Sequence, residues 1–267
     1  MKVFVSADIE GISGIVSEEE SFVGRSLYPA ACQAMTREVN AVVDGALGGR
    51  ATEIVVNDCH YSGLNIDPEE LRPEAELIRG QPSPIMVSGL DESFDAVFLV
   101  GYHAMKGTPH AILDHTHNSR LVEIRLNGRE IGELGLAAAA AGACGVPVAL
   151  VSGDDKLVEE ARAWVPWAEV VTTKKGMGRT SAQCRSPQLV RRELCDKAAA
   201  TLERLEEMEP FVVEPPLRLE TSFLYTATAD QAVNIPGVER TGGRSIAAEL
   251  DSMEEVARLL IALTRLV

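Results

Sequence analysis

Four short apolar runs, Lys2-Val3-Phe4-Val5, Glu53-Ile54-Val55-Val56, Ala96-Val97-Phe98-Leu99-Val100 and Pro147-Val148-Ala149-Leu150-Val151, are separated by stretches whose apolar residues recur at helical spacing. Unbroken apolar runs of this length read as strands buried on both faces, and strands alternating with helices specify a mainly parallel sheet with helices on both faces, an α/β fold. Ligand sites in such a sheet form just beyond the carboxyl ends of its strands. The first three runs end in polar groups: Ser6-Ala7-Asp8-Ile9-Glu10, Asn57-Asp58-Cys59-His60 and Gly101-Tyr102-His103. Residues two apart in extended chain share a face, so Asp8 and Glu10 can point at one spot. With Glu133 of Gly132-Glu133-Leu134-Gly135, the set Asp8, Glu10, His60, His103 and Glu133 has the ligand types that hold a pair of zinc-like ions for hydrolysis. Singly, each has a plainer explanation: an acidic pair as a loop or helix cap, a histidine as a structural hydrogen bonder, Glu133 as the opening of a helix. Their coincidence at the ends of three strands favours the metal.

The segment from Tyr28 to about Leu47, closed by Gly48-Gly49, predicts a helix and with its flanking strands a right-handed βαβ unit. Asp67-Pro68 opens a shorter acidic helix to Arg79, Ile85-Met86-Val87 reads as a further strand, and Asn127-Gly128 after the alternating Leu121–Leu126 marks a hairpin. Alanine-rich Leu134–Cys144 predicts a buried helix, followed beyond Val151 by a helix from about Leu157, a strand at Glu169–Thr172 and a long helix from Pro187 to Met208. A proline-bearing break at Glu209–Pro216 separates a metal-binding catalytic domain, 1–208, from a smaller α+β lobe, 209–267. That lobe is expected to hold strands near Leu217–Phe223 and Arg244–Ala247, a helix through Ala227 and a final helix from Met253 to Leu266.

The 46% hydrophobic content of 267 residues supports a large core, and a formal charge of −15 repels nucleic-acid backbones and anionic lipid. Neither nucleic acid nor membrane is expected as a partner. A start without a basic, apolar leader leads us to expect a cytoplasmic protein. Five cysteines, odd in number and without a C-x-x-C pair, are expected to be free and mostly buried.

All five histidines fall between positions 60 and 117, and the trio His110, His115 and His117 follows the strand that offers His103. Such a loop can set an imidazole over a bound substrate as acid, base or oxyanion donor, or can be a mobile exposed segment. Rival motifs carry less. Gly176-Met177-Gly178 is an incomplete dinucleotide fingerprint, Cys59 and His60 point to opposite sides of a strand end, and Ser152-Gly153-Asp154-Asp155 reads best as a helix cap.

Taken together, Ser6-x-Asp8-x-Glu10-Gly11, Asn57-Asp58-x-His60, Gly101-Tyr102-His103-Ala104 and Gly132-Glu133-Leu134-Gly135 resemble the bacterial zinc D-aminopeptidases of dipeptide-permease operons, with a looser match through Gly153-Asp154-Asp155, Arg179–Ala182 and Pro236-Gly237. The resemblance implies two zinc ions per subunit on Asp8, Glu10, His60, His103 and Glu133, with His115 catalytic. It further implies a short peptide substrate with a D-residue at its amino terminus and a ring-like homo-oligomer such as a decamer. Asp8 is expected to bridge the ions, and Asp58 to orient His60. The stretch from Thr108 to His115 departs from the family pattern, which keeps His117 open as the alternative to His115. Outside this resemblance, the same ligands would serve a dimetal amidase for another small amide or a non-catalytic ligand-binding protein.

Overall fold

The computed structural model describes residues 1–80 and 86–266. In chain order its elements are β1 (Lys2–Ala7), α1 (Glu18–Ser21), α2 (Tyr28–Gly48), β2 (Glu53–Asp58), β3 (Ala75–Ile78), β4 (Ala96–Tyr102), β5 (Leu121–Leu126), β6 (Arg129–Glu130), α3 (Glu133–Ala143) and β7 (Val148–Asp154). They continue with α4 (Asp155–Trp164), β8 (Glu169–Gly178), β9 (Ser181–Cys184), α5 (Pro187–Leu202), β10 (Leu217–Phe223), α6 (Thr226–Ala232), β11 (Val238–Arg240), β12 (Ser245–Leu250) and α7 (Met253–Arg265). One sheet runs β3-β2-β1-β4-β7-β8-β9, parallel except for β9, and the other runs β11-β12-β10-β5-β6, antiparallel throughout. The α/β class with a smaller α+β lobe is therefore the fold this chain adopts.

Alternation along the central strands divides the core in two. Val3 and Val5 of β1 and Phe98 and Val100 of β4 join α2 and α5 on one face, while Phe4, Val97 and Leu99 join α3, α4, the antiparallel sheet and α7 on the other. Each strand is buried on both sides, which explains the unbroken apolar runs. Helix α2 matches its expected limits, with Pro29 in its first turn and glycine at its end. Helix α3 is buried along nearly its whole length, as its alanines require. Asn127 and Gly128, at φ 50° and 77°, form the left-handed pair of the β5–β6 hairpin. The segment beyond 209 supplies β10, β11, β12, α6 and α7, and its sheet is completed by β5 and β6 from 121–130.

Several local expectations are corrected. The acidic helix over 67–79 does not form: Asp67 closes a single turn, with its carbonyl accepting from Leu71 N, and the chain then enters β3 beside β2. Pro73 cannot donate to a helix ladder, which stops the helix just after it starts. The strand expected at 85–87 falls partly outside the described residues, and Met86 and Val87 lie in a turn. Strand β8 runs six residues further than expected, to Gly178, and turns into β9, while the helix from Pro187 ends at Leu202. Of the five free cysteines four are half-buried and Cys184 is exposed, so they are less buried than expected. Among the described residues no helix is long and apolar enough to cross a membrane.

Candidate metal centre

In the parallel sheet the strand order reverses between β1 and β4, and the site lies at the carboxyl ends of these strands and of β2, where such folds open a crevice. Asp8 and Glu10 follow β1, His60 follows β2, His103 follows β4, and Glu133 is the first residue of α3. All five are nearly or fully buried. His60 Nδ1 lies 3.0 Å from Asp8 Oδ1 and 3.2 Å from Glu10 Oε2. His103 Nε2 lies 3.4 Å from Asp8 Oδ2 and 3.2 Å from Glu133 Oε1. Asp8 thus turns one carboxylate oxygen toward each imidazole.

The far nitrogens are fixed by the backbone. His60 Nε2–H donates to Ser21 O at 2.7 Å, and His103 Nδ1–H donates to Ala104 O at 3.1 Å. When the rings are neutral, as metal binding requires, these bonds leave each remaining lone pair facing the carboxylates, the orientation that a backbone carbonyl imposes on a metal-ligating histidine. Asp8 Oδ2, Glu10 Oε2 and His103 Nε2 are buried without a hydrogen-bond partner. Buried polar atoms left without partners are costly, and acceptors clustered this way are the donor set a divalent cation satisfies. Asp8, Glu10 and His103 form one group able to hold an ion, and His103, His115 and Glu133 form another.

Electrostatics agree. Burial, together with Glu10 beside it, pushes the Asp8 carboxyl up to about 7. Burial alone would lower both imidazoles, but Glu10 and Asp8 around His60, and Glu133 and Asp8 around His103, hold them well above the ordinary histidine value. Two imidazolium ions thus stand where cations belong. A group whose folded pKa is raised stabilises the fold below its unfolded pKa and loses that contribution as pH rises through the folded value. Metal-free protein is therefore expected to lose stability as pH climbs above about 6.5, and zinc, which needs neutral imidazoles, to bind more tightly and release protons over the same rise. Thermal melts with and without zinc across pH check this; a zinc affinity independent of pH contradicts it.

The three loop histidines separate clearly. His115 stacks on His103 with ring centroids 4.0 Å apart; its Nδ1–H donates to Leu113 O at 2.8 Å and its Nε2 lies 3.6 Å from Glu133 Oε1. His117 gives its backbone N–H to Glu133 Oε1 at 2.7 Å, and its ring Nε2 is buried without a partner. His110 faces away, with its ring at Met177 O, 3.3 Å.

Asp58 plays a different part from the one expected. It accepts from Asn65 N, Asn65 Nδ2 and Ile66 N at 2.6, 2.6 and 2.8 Å and makes no hydrogen bond to His60. Asn65 Nδ2 in turn donates to His60 O at 2.6 Å, so Asp58 braces the loop that carries His60 rather than the ring itself. Asp58→Ala is expected to weaken zinc binding about 10–100-fold through movement of that loop and to lower the melting temperature as three donors lose their acceptor. Chelator competition reads the first effect, and unchanged affinity refutes the bracing role.

A cavity of about 630 Å³ opens onto these residues, lined also by Phe22, Tyr61, Arg179 and, from α7, Ile261 and Thr264. The α7 contribution left no signal in the sequence, because it depends on how the antiparallel sheet docks. Gly176 and Gly178 lie in β8, not at a strand-to-helix turn, which removes the dinucleotide reading. Asp154 caps α4 by accepting from Leu157 N at 2.8 Å, as expected.

The family model described as D-aminopeptidase, peptidase family M55, matches residues 1–262. The chain belongs to this family. A D-aminopeptidase of Bacillus subtilis (strain 168) is 34% identical over 270 residues, spanning 100% of this chain and 97% of that protein. The solved structure of the Zn-dependent D-aminopeptidase DppA from Bacillus subtilis, a self-compartmentalizing protease, superposes with a TM-score of 0.96 at 33% identity, covering 100% of this chain and 97% of that one. The M55 membership makes the chain a peptidase, and the carboxylates and imidazoles gathered near its strand ends are candidate groups for holding a metal ion.

Proposed function

We propose that this M55 peptidase is a dinuclear zinc aminopeptidase that removes the amino-terminal residue of short peptides and prefers a D-residue of the D-Ala type. The observation that carries the reading is Asp8, whose Oδ1 and Oδ2 face His60 and His103 separately. Asp8, Glu10 and His60 would hold one ion, and Asp8, His103 and Glu133 the other. Bound there, the ions supply Lewis acidity to the scissile carbonyl, an acidified water and an anchor for the substrate's free amine.

The protein's own groups do the rest. Burial holds His115 below the ordinary histidine value, which favours its uncharged imidazole. With Nδ1–H committed to Leu113 O, its Nε2 is left to accept a proton near Glu133 and return it to the leaving amine. His117 N–H holds the Glu133 carboxylate in place. The walls formed by Phe22, Tyr61, Leu113 and Ile261 give a side chain apolar contacts and limit water.

The Zn-dependent D-aminopeptidase of Bacillus supports zinc dependence and the D-amino-acid preference, and its self-compartmentalizing character supports a homo-oligomer, for which a ring such as a decamer is our reading. Phe22 and Tyr61 are exposed beside the cavity, which suits burial against another copy. Free cysteines suit a reducing, cytoplasmic setting. Zinc analysis coupled to a panel of D- and L-aminoacyl peptides tests the activity. Turnover of D-Ala peptides by protein with two zinc equivalents supports it; cleavage of unrelated amides alone indicates an amidase, and zinc binding without turnover a binding protein.

A further inference from the structure

The turn that carries Glu10 is held from beneath by β8. Lys174 is fully buried in that strand, and its Nζ donates to Glu10 O, Ile12 O and Ile15 O at 2.5, 2.8 and 2.6 Å. Its neighbour Thr173, also fully buried, donates from Oγ1 to Gly11 O at 2.6 Å and reaches Gly153 O at 3.0 Å. Two adjacent side chains thus take four carbonyls from one six-residue turn. All three ammonium protons are used, the condition under which a lysine can remain charged away from water.

The turn's amides are tied down as well. Asp8 N donates to Val100 O, Gly11 N to Gly101 O, and Ser13 N to the buried Glu38 of α2 at 3.0 Å. At Gly11 the chain passes so close to β4 that a Cβ would stand 2.0 Å from Tyr102 O, so the turn cannot retreat toward that strand. This tethering has a purpose visible in the site: Asp8 and Glu10 are buried carboxylates that repel one another without a cation between them. A free loop would let them part.

We propose that Lys174, assisted by Thr173, is a positioning residue that clamps the Glu10–Ile15 turn and so presents the Glu10 carboxylate beside Asp8 for metal binding. The clamp rests on the dinuclear reading for its function, although its geometry does not. A hydrophobe at 174 would leave Glu10 O and Ile15 O without a donor and Ile12 O with Ile15 N–H alone, so the turn would shift to find water and take Glu10 with it.

The test compares full-length wild-type protein with Thr173→Val, which is isosteric, and Lys174→Met. Zinc affinity is measured by chelator competition, cobalt-substituted protein is examined by d–d absorption, and amide exchange is followed at Gly11, Ser13 and Ile15. Both variants are expected to show faster exchange in the turn, a 10–100-fold weaker affinity for one of the ions, and a changed cobalt spectrum for that ion, with Lys174→Met the more severe. If Lys174→Met fails to fold, Thr173→Val decides alone. Native exchange and native affinity in the folded variants overturn the clamp. Wild-type protein that binds no zinc removes the dinuclear reading, and the exchange comparison then still decides for or against the clamp.

Discussion

Asp8→Ala protein is expected to retain little of its zinc and essentially none of its peptidase activity, whereas Glu10→Ala and Glu133→Ala should each loosen chiefly one ion. The difference follows from geometry: Asp8 is the one carboxylate facing both His60 and His103, at 3.0 and 3.4 Å, while Glu10 faces the first and Glu133 the second. Loss of zinc should not mean loss of fold. Without metal, Asp8 is a buried acid pushed up to about 7 by desolvation and by the charge on Glu10, so removing it relieves repulsion as well as deleting a partner of His60. Its hydrogen bond from Ile9 N is local to its own turn. Metal-free Asp8→Ala should therefore melt close to metal-free wild type, and zinc should raise the wild-type melting point far more than the variant's. Elemental analysis and paired melts read both effects. Two full zinc equivalents in Asp8→Ala would exclude a bridging role.

The candidate site was legible because three strands of the central sheet, β1, β2 and β4, are written as apolar runs that give way to polar residues leading to Asp8, His60 and His103. Burial on both faces leaves polar residues no place until the strand ends, and the strand ends are where this topology binds ligands. Helix α2 was equally plain, with proline and glycine at its limits. Elements without such constraint were missed. The edge strands β3, β9 and β11 are short and hold no fully buried residue, so their composition resembles loop, and Asp67-Pro68 imitated a helix start that Pro73 then cancelled. Lys174 could not be read because a buried lysine is spelled like a surface one, and only the carbonyls of a turn about 160 residues away reveal its environment. The α7 wall of the cavity is invisible for the same reason. Asp58 shows the intermediate case: its place near His60 was readable, but its partners Asn65 and Ile66 depended on a loop path that local spacing does not encode.

His115→Ala is expected to keep near-normal zinc and to lose about 10²–10⁴-fold in kcat, the range for removing a positioned proton-transfer group. The five residues around Asp8 already supply three ligands to each ion in the proposed assignment, with Asp8 shared, which leaves His115 for proton transfer. Its position fits that role: it stacks on His103 and reaches Glu133 with Nε2 at 3.6 Å, a longer approach than the 3.2 Å made by His103. His110→Ala should be nearly silent, because that ring points to Met177 O. His117→Ala should be mild, because its tie to Glu133 uses the backbone N–H that alanine retains, although the strained left-handed φ of 58° and a buried ring are affected. The pH profile separates chemistry from ligation. Since burial holds His115 below its ordinary value, its neutral acceptor form is favoured, and the acid limb of kcat should lie below about 6.5. Zinc content measured beside kcat across pH distinguishes protonation of His115 from loss of the ions. A dead His117→Ala with a fully active His115→Ala would transfer the catalytic role two residues along, and a His115→Ala protein stripped of zinc would make His115 a ligand instead.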